Sequence, residues 1–272
     1  MLQDKKNKKP FNKQSIIEKS VKIEFYNDNF QNFKRYNIPK AQLVIADIPY
    51  NLGINAYASS TEWYVDGDNK KGKSKKAGKA FFGTDFNFNI AEYMHFCSKL
   101  LKPEPKETGK APAMIVFCAF EQMHIVMEYG KKHGFANSYP LTFIKDYSAQ
   151  VLKSNMKIVG ATEYAVVLYR DKLPKFNNNG KMVFNWMKWS RDGKQYPKIH
   201  PTQKPINVLA NLINIFTDEG DVVIDPCAGS GSTLRACSEL NRHCYGFEVS
   251  KEVYKKAQDK MLGKNLINLF RN

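Results

Sequence analysis

The sequence predicts an α/β fold, a mainly parallel sheet with helices on both faces, and three observations carry that prediction. LVIA (43–46) and AMIVFCAF (113–120) are continuous apolar runs, as strands covered on both sides require. Segments with helical spacing of apolar residues alternate with these runs. The stretch DVVIDPCAGSGSTLRACSEL (221–240) reads as strand, glycine loop and helix, with a further strand, HCYGFEV (243–249), behind it.

Taken in order, residues 1–20 carry Lys5, Lys6, Lys8, Lys9, Lys13 and Lys19 with few apolar groups, and read as a basic flexible tail. VKIEFY (21–26) alternates as a strand does, and AQLVIADIPY (41–50) is a buried strand whose apolar run stops at Asp47. Residues 51–83 lose periodicity, and NKKGKSKKAGK (69–79) is a lysine-rich loop within a basic segment, 60–82. Ile90, Tyr93, Met94, Cys97 and Leu101 predict a helix over 89–102, and EQMHIVMEYGKKHG (121–134) predicts another after the strand at 113–120. PLTFIKD (140–146) and ATEYAVVLYR (161–170) read as adjacent strands joined by a polar, basic excursion. Residues 171–198 are aperiodic. Val208, Leu209, Leu212, Ile213 and Phe216 then share one helical face, and KEVYKKAQDKML (251–262) closes the chain as a helix.

Composition narrows the function. The 272 residues carry a net charge of +16, a field whose natural partner is a phosphate polyanion. Five cysteines, with no C-x-x-C, form neither a disulfide framework nor a zinc pattern, so reduced thiols and a cytoplasmic protein are expected. The five histidines show no H-x-x-x-H pair, and no metal is expected. No apolar run approaches membrane-spanning length, and MLQDKKNKKP lacks the apolar stretch of a secretory signal.

The glycine loop is the first candidate site. Asp225, Pro226, Cys227, Ala228, Gly229, Ser230 and Gly231 link a strand to a helix, and glycine permits a tight turn and close approach to a ligand. Glu248 ends the next strand, where a carboxylate can bind a ribose diol. The third glycine of the pyrophosphate fingerprint is missing, and so is any G-K-[ST], which disfavours NAD and ATP. An adenosine cofactor without phosphate is compatible with Asp225, whose charge would favour cationic groups. Cys227, inside the glycine loop, reads as a small filler.

Asp47-Ile48-Pro49-Tyr50 is the second. A base amine is a poor nucleophile because its lone pair is delocalised into the ring. Acceptors at Asp47 and the Ile48 carbonyl would hold its hydrogens, and Pro49 stiffens the turn. Tyr50 would stack on an extruded base, an interaction of about 1–3 kcal/mol.

DIPY, HPTQKP (200–205) and DPCAGSGST (225–233), in that order, resemble the circularly permuted beta class of DNA amino-methyltransferases, which act on adenine N6 or cytosine N4. The resemblance spans residues 21–262. It implies a Rossmann-like S-adenosylmethionine-dependent methyltransferase fold with one antiparallel strand near an edge and DNA-contacting insertions. It implies S-adenosyl-L-methionine as cofactor and DNA as partner. It also implies that Asp28 lies near the cofactor adenine, and that Thr202 and Lys204 touch its methionine part. The family usually has proline where this chain has Ile48.

On this reading residues 21–170 form the catalytic half, 171–198 a target-recognition insertion and 199–272 the cofactor-binding half. Lys70, Lys71, Lys73, Lys75 and Lys76 are candidates for phosphate contact, and Trp186, Lys188 and Arg191 for DNA contact in the insertion. Phe143 is a candidate second wall of the base pocket, with core as its default. The first-position acid favours adenine; an N4-cytosine enzyme and a non-catalytic nucleic-acid-binding protein on the same fold are the alternatives. A homodimer and a cognate restriction nuclease are left open as partners.

Overall fold

The computed structural model describes residues 21–50, 88–147, 150–153, 158–200 and 202–263. The basic tail, the lysine loop 69–79 with its five candidate contacts, and Pro201 lie outside them.

Ten strands occur in chain order among the described residues: β1 (Ile23–Tyr26), β2 (Leu43–Asp47), β3 (Ala113–Cys118), β4 (Asn137–Lys145), β5 (Gln150–Lys153), β6 (Ile158–Gly160), β7 (Thr162–Tyr169), β8 (Trp186–Trp189), β9 (Val222–Asp225) and β10 (His243–Phe247). Eight of them form one sheet in the order β1-β10-β9-β2-β3-β7-β4-β8, while β5 and β6 pair as a separate hairpin. Every pairing in the large sheet is parallel except those of β7 with β3 and β4. The fold is therefore the expected mainly parallel sheet with a single reversed strand.

The helices are α1 (Ile90–Leu100), α2 (Met123–Lys132), α3 (Ile206–Phe216), α4 (Ser232–Glu239) and α5 (Lys251–Lys256), the last running on into a wider turn over Ala257–Leu262. Alternation along β2 sorts the core into two layers. Leu43 and Ile45 pack with Leu209, Leu212 and Ile213 of α3 and Leu234 of α4, whereas Val44 and Ala46 pack with Tyr93, Met94 and Cys97 of α1. All six residues of β3 are buried, which is why its sequence is uninterrupted by polar groups. The Asn89 side chain accepts the Ala91 and Glu92 amides and so starts α1.

One expectation changes. The stretch 171–198 is not wholly irregular, because WMKW forms β8 and adds in parallel to β4 at the sheet edge. It is also tied to α3 at both ends. Asp192 accepts the Ile206 amide at 2.8 Å, and Asn177 donates to the carbonyls of Asn214 and Thr217.

Candidate active site

Strand order makes the site. From β2 the chain proceeds to β3 on one side, and from β9 to β10 on the other, so β2 and β9 flank the point where the order reverses. Such a switch point leaves a crevice beyond the carboxyl ends of the strands. A cleft of about 540 Å³ lies there, lined by Asp47, Ile48, Pro49 and Tyr50 from the end of β2, and by Asp225 to Ser230 from the end of β9. Glu248 after β10, Phe117 of β3 and His200, Thr202 and Lys204 also line it. The two motifs, far apart in the sequence, thus share one cavity.

The β9 side is a turn built around two left-handed glycines, Gly229 (φ 49°) and Gly231 (φ 76°), a backbone region that other residues adopt at a cost. Gly231 precedes the first residue of α4, and the Ala228 amide donates to the Phe247 carbonyl, fastening the loop to β10. Asp225 is 3 % exposed and accepts the Cys227 amide at 3.0 Å. Burial pushes its pKa up to about 7, against the lowering effect of Thr233 and the Cys227 amide; Asp47 and Glu248 add repulsion. Burial likewise raises the Glu248 carboxyl, which accepts the amides of Ser250 (2.6 Å) and Gly229. The Cys227 thiol is pushed well above its ordinary range by burial and by Asp225, which suits a filler and not a nucleophile.

The β2 side holds a buried charge cluster. Lys204 Nζ lies 2.6 Å from Asp47 Oδ2 and 3.9 Å from Glu163 Oε2, and donates to the Tyr50 hydroxyl at 3.4 Å. Lys145 forms an ion pair with the other oxygen of Glu163, and the Tyr50 hydroxyl donates to Glu163 Oε2 at 3.0 Å. The rings of Tyr50, Phe117 and Trp189 stand 5.4–5.7 Å from the Lys204 ammonium. Burial favours the neutral form of all three groups, yet the opposed charges hold Lys204 above its ordinary pKa and Glu163 below. Asp47 stays above its ordinary pKa, because burial outweighs the pull of Lys204. Its Oδ1 is buried and has no hydrogen-bond partner among the described residues.

The Asp47 turn is also braced from below. The Ile48 amide donates to the Phe117 carbonyl at 3.1 Å, and Gln122 Nε2 donates to the Pro49 carbonyl at 3.0 Å. These two bonds act where Ile48 replaces a proline, and they restrain the turn by hydrogen bonding in place of a second ring.

Other expected residues fall differently. Thr202 lines the cleft and its hydroxyl lies 2.9 Å from His200 Nδ1. Lys204 also lines the cleft, and it turns its ammonium to Asp47. Asp28 does not line the cleft: it accepts from the Asn29 amide, the Asn32 side chain and the Tyr36 hydroxyl, while its neighbours Asn29 and Phe30 form the wall. Phe143 is fully buried between Phe117 and Trp189, which makes it core. Trp186 is 49 % exposed and stacks on Phe184, Lys188 is exposed, and the Arg191 guanidinium lies 3.8 Å from the Tyr147 ring centre. Sequence reasoning misses Glu163, Lys145 and Gln122. Their only signal is position at or just beyond the carboxyl-side edge of the sheet, and that needs the pairing of β7 with β3 and β4 to be visible.

Among the described residues no group of three or more His, Cys, Asp or Glu is placed to hold a metal, and no helix is long and apolar enough to cross a membrane.

Comparison with known proteins agrees with this geometry. The Type II methyltransferase M.HpaI of Haemophilus parainfluenzae is 39% identical over 242 residues, covering 80% of this chain and 67% of that protein. The DNA adenine methyltransferase YhdJ of Escherichia coli is 26% identical over 257 residues, covering 86% of this chain and 81% of its own. The crystal structure of the M1.HpyAVI–SAM complex superposes with a TM-score of 0.60 at 22% identity, over 86% of this chain and 97% of that one, and shares its fold. The model of the N6/N4 DNA methylase family matches residues 41–259, a span that takes in both lips of the cleft. With the Asp47–Tyr50 turn and the glycine loop converging on one cavity inside that span, the chain belongs to the N6/N4 DNA methylase family.

Proposed function

We propose that this protein transfers a methyl group from S-adenosyl-L-methionine to the exocyclic N6 of adenine at a specific DNA sequence. The observation that carries the reading is the buried Oδ1 of Asp47, which has no partner among the described residues, an acceptor beside a cleft that holds two further carboxylates. Glycine freedom at 229 and 231 gives a backbone cradle, and Glu248 has the chemistry to take a diol. Asp225, raised by burial, gains from any cation brought beside it. A phosphate-free sulfonium donor with an ammonium group and a ribose fits these residues. When bound it supplies an electrophilic methyl group, and its sulfur leaves as a neutral thioether.

The chain's own residues prepare the acceptor. Asp47 Oδ1 and the Ile48 carbonyl accept the two amine hydrogens, turning the nitrogen lone pair out of conjugation and toward the donor. Tyr50 stacks on the base, and Phe117 backs the pocket. An anionic Asp47 stabilises the positive charge that grows on nitrogen as the new N–C bond forms, and the surplus proton leaves through that hydrogen bond. Thr202 and the loop Asp225–Gly231 are assigned to the donor side, Asp47 to Tyr50 to the acceptor side. Trp186, Lys188, Arg191 and Lys70, Lys71, Lys73, Lys75 and Lys76 are assigned to DNA.

Asp47→Ala is expected to cut methyl transfer by about 10³-fold while donor affinity by calorimetry stays within a few-fold of the parent. Comparable turnover would remove Asp47 from the mechanism. Sequencing modified bases in DNA from an expressing host reports base, atom and context together; N4-methylcytosine in place of N6-methyladenine would reassign the substrate.

A further inference from the structure

The charge cluster behind Asp47 goes beyond the acceptor role of the turn. Four side chains from four chain segments meet there: Asp47 ends β2, Lys145 ends β4, Glu163 lies near the start of β7, and Lys204 precedes α3. Two are acids and two are lysines, so the cluster is neutral as a whole. Lys145 and Lys204 side chains are each 8% exposed and that of Glu163 11%, while Asp47, at the cleft, is 30% exposed. Buried charges so arranged cost desolvation, and one left without its partner costs several kcal/mol. Any group that loses its counter-charge therefore moves or changes protonation.

The bonds are directional. Lys204 takes Oδ2 of Asp47 and leaves Oδ1 without a partner among the described residues. Glu163 Oε2 takes the Tyr50 hydroxyl at 3.0 Å and lies 3.9 Å from Lys204 Nζ, while Lys145 occupies its other oxygen. The rings of Tyr50, Phe117 and Trp189 stand 5.4–5.7 Å from the Lys204 ammonium and add cation–π attraction to the ion pair. We propose that Lys204 is a positioning residue that holds one oxygen of Asp47 so that the other meets the target amine, and that Glu163 is the anchor fixing both Lys204 and the base-stacking ring of Tyr50.

The two residues act on Asp47 with opposite electrostatic sign. Its charged and titratable surroundings are Lys204, Glu163 with Lys145 behind it, Cys118 of β3, Asp225 and Cys227 across the cleft and Tyr50 of its own turn. Lys204 favours the carboxylate and Glu163 opposes it. Removing the lysine charge must move the protonation of Asp47 to higher pH, and removing the glutamate charge must move it to lower pH.

The inference rests on the methyl-transfer reading, and the experiment separates the two. Single-turnover transfer to target DNA is followed from pH 5 to 9 at saturating donor for the parent, Lys204→Met and Glu163→Gln, with donor affinity measured in parallel. For Lys204→Met the acid limb is expected to move up by about one pH unit or more, with donor affinity within about threefold. For Glu163→Gln the limb is expected to move down, while the plateau rate falls about tenfold as Tyr50 loses its anchor. Limbs that stay in place, or donor affinity that falls as far as the rate, would overturn the assignment, and the latter would make Lys204 a cofactor contact. Should Lys204→Met not fold, the near-isosteric Glu163→Gln decides alone by the direction of its shift. A parent protein that transfers no methyl group to DNA would sink the underlying reading instead.

Discussion

At Asp225 burial and charge work against each other, and the conflict has a measurable consequence. A carboxyl with pKa about 7 in the folded chain and an ordinary value of 3.8 holds an extra proton on folding between those limits. Its contribution to stability is full below about pH 4 and is lost as pH rises through about 7. At pH 8 the donor-free protein bears the whole cost, up to about 4 kcal/mol. Asp225→Asn should therefore raise donor-free stability in urea at pH 8 and change it little at pH 5, while weakening donor binding. Equal effects at both pH values would show that the carboxyl is not so perturbed. Lys204 and Glu163 bear the opposite lesson: each is buried, but each has its counter-charge, and both stay ionised.

Among the elements, α3 links the two halves of the chemistry. Lys204 stands just before it, Asp192 caps its first amide, and Asn177 closes its last turn. Asp192→Ala should cost about 1 kcal/mol, as removal of an N-terminal cap does; an unchanged urea midpoint would show that the bond carries no stability. The elements differ in how plainly the sequence declares them. Strands β2, β3 and β9 are legible because burial on both faces excludes polar residues, and α1 and α3 because one face must be apolar. Strand β8 is not legible, since WMKW has no alternation and sits among asparagines and glycines; only the edge of β4 makes it a strand. The DIPY turn and glycine loop are legible as chemistry. The clamp on Asp47 is hidden, because in TEYAVVLY a glutamate beside a threonine reads as the solvent end of a strand.

For the molecule as a whole, the excess of 42 basic over 26 acidic residues sets how DNA is approached. Replacing Lys70, Lys71, Lys73, Lys75 and Lys76 by alanine should weaken binding to every DNA sequence alike and reduce the slope of log affinity against log salt, by about 0.9 for each phosphate no longer neutralised. An unaltered slope would place phosphate binding elsewhere on the surface. Trp186 and Lys188, on the exposed end of β8, should instead alter which sequences are methylated.

The parallel pairing of β1 with β10 joins the first described strand to the last, and β2 meets β9 only through Leu43, Val44, Val223 and Ile224. During synthesis, then, the early strands emerge with their future neighbours still unmade. A nascent chain halted before residue 222 would display Asp47 and Tyr50 with no donor loop opposite them. The ribosome must deliver the chain through β10 before any genome in reach can be marked.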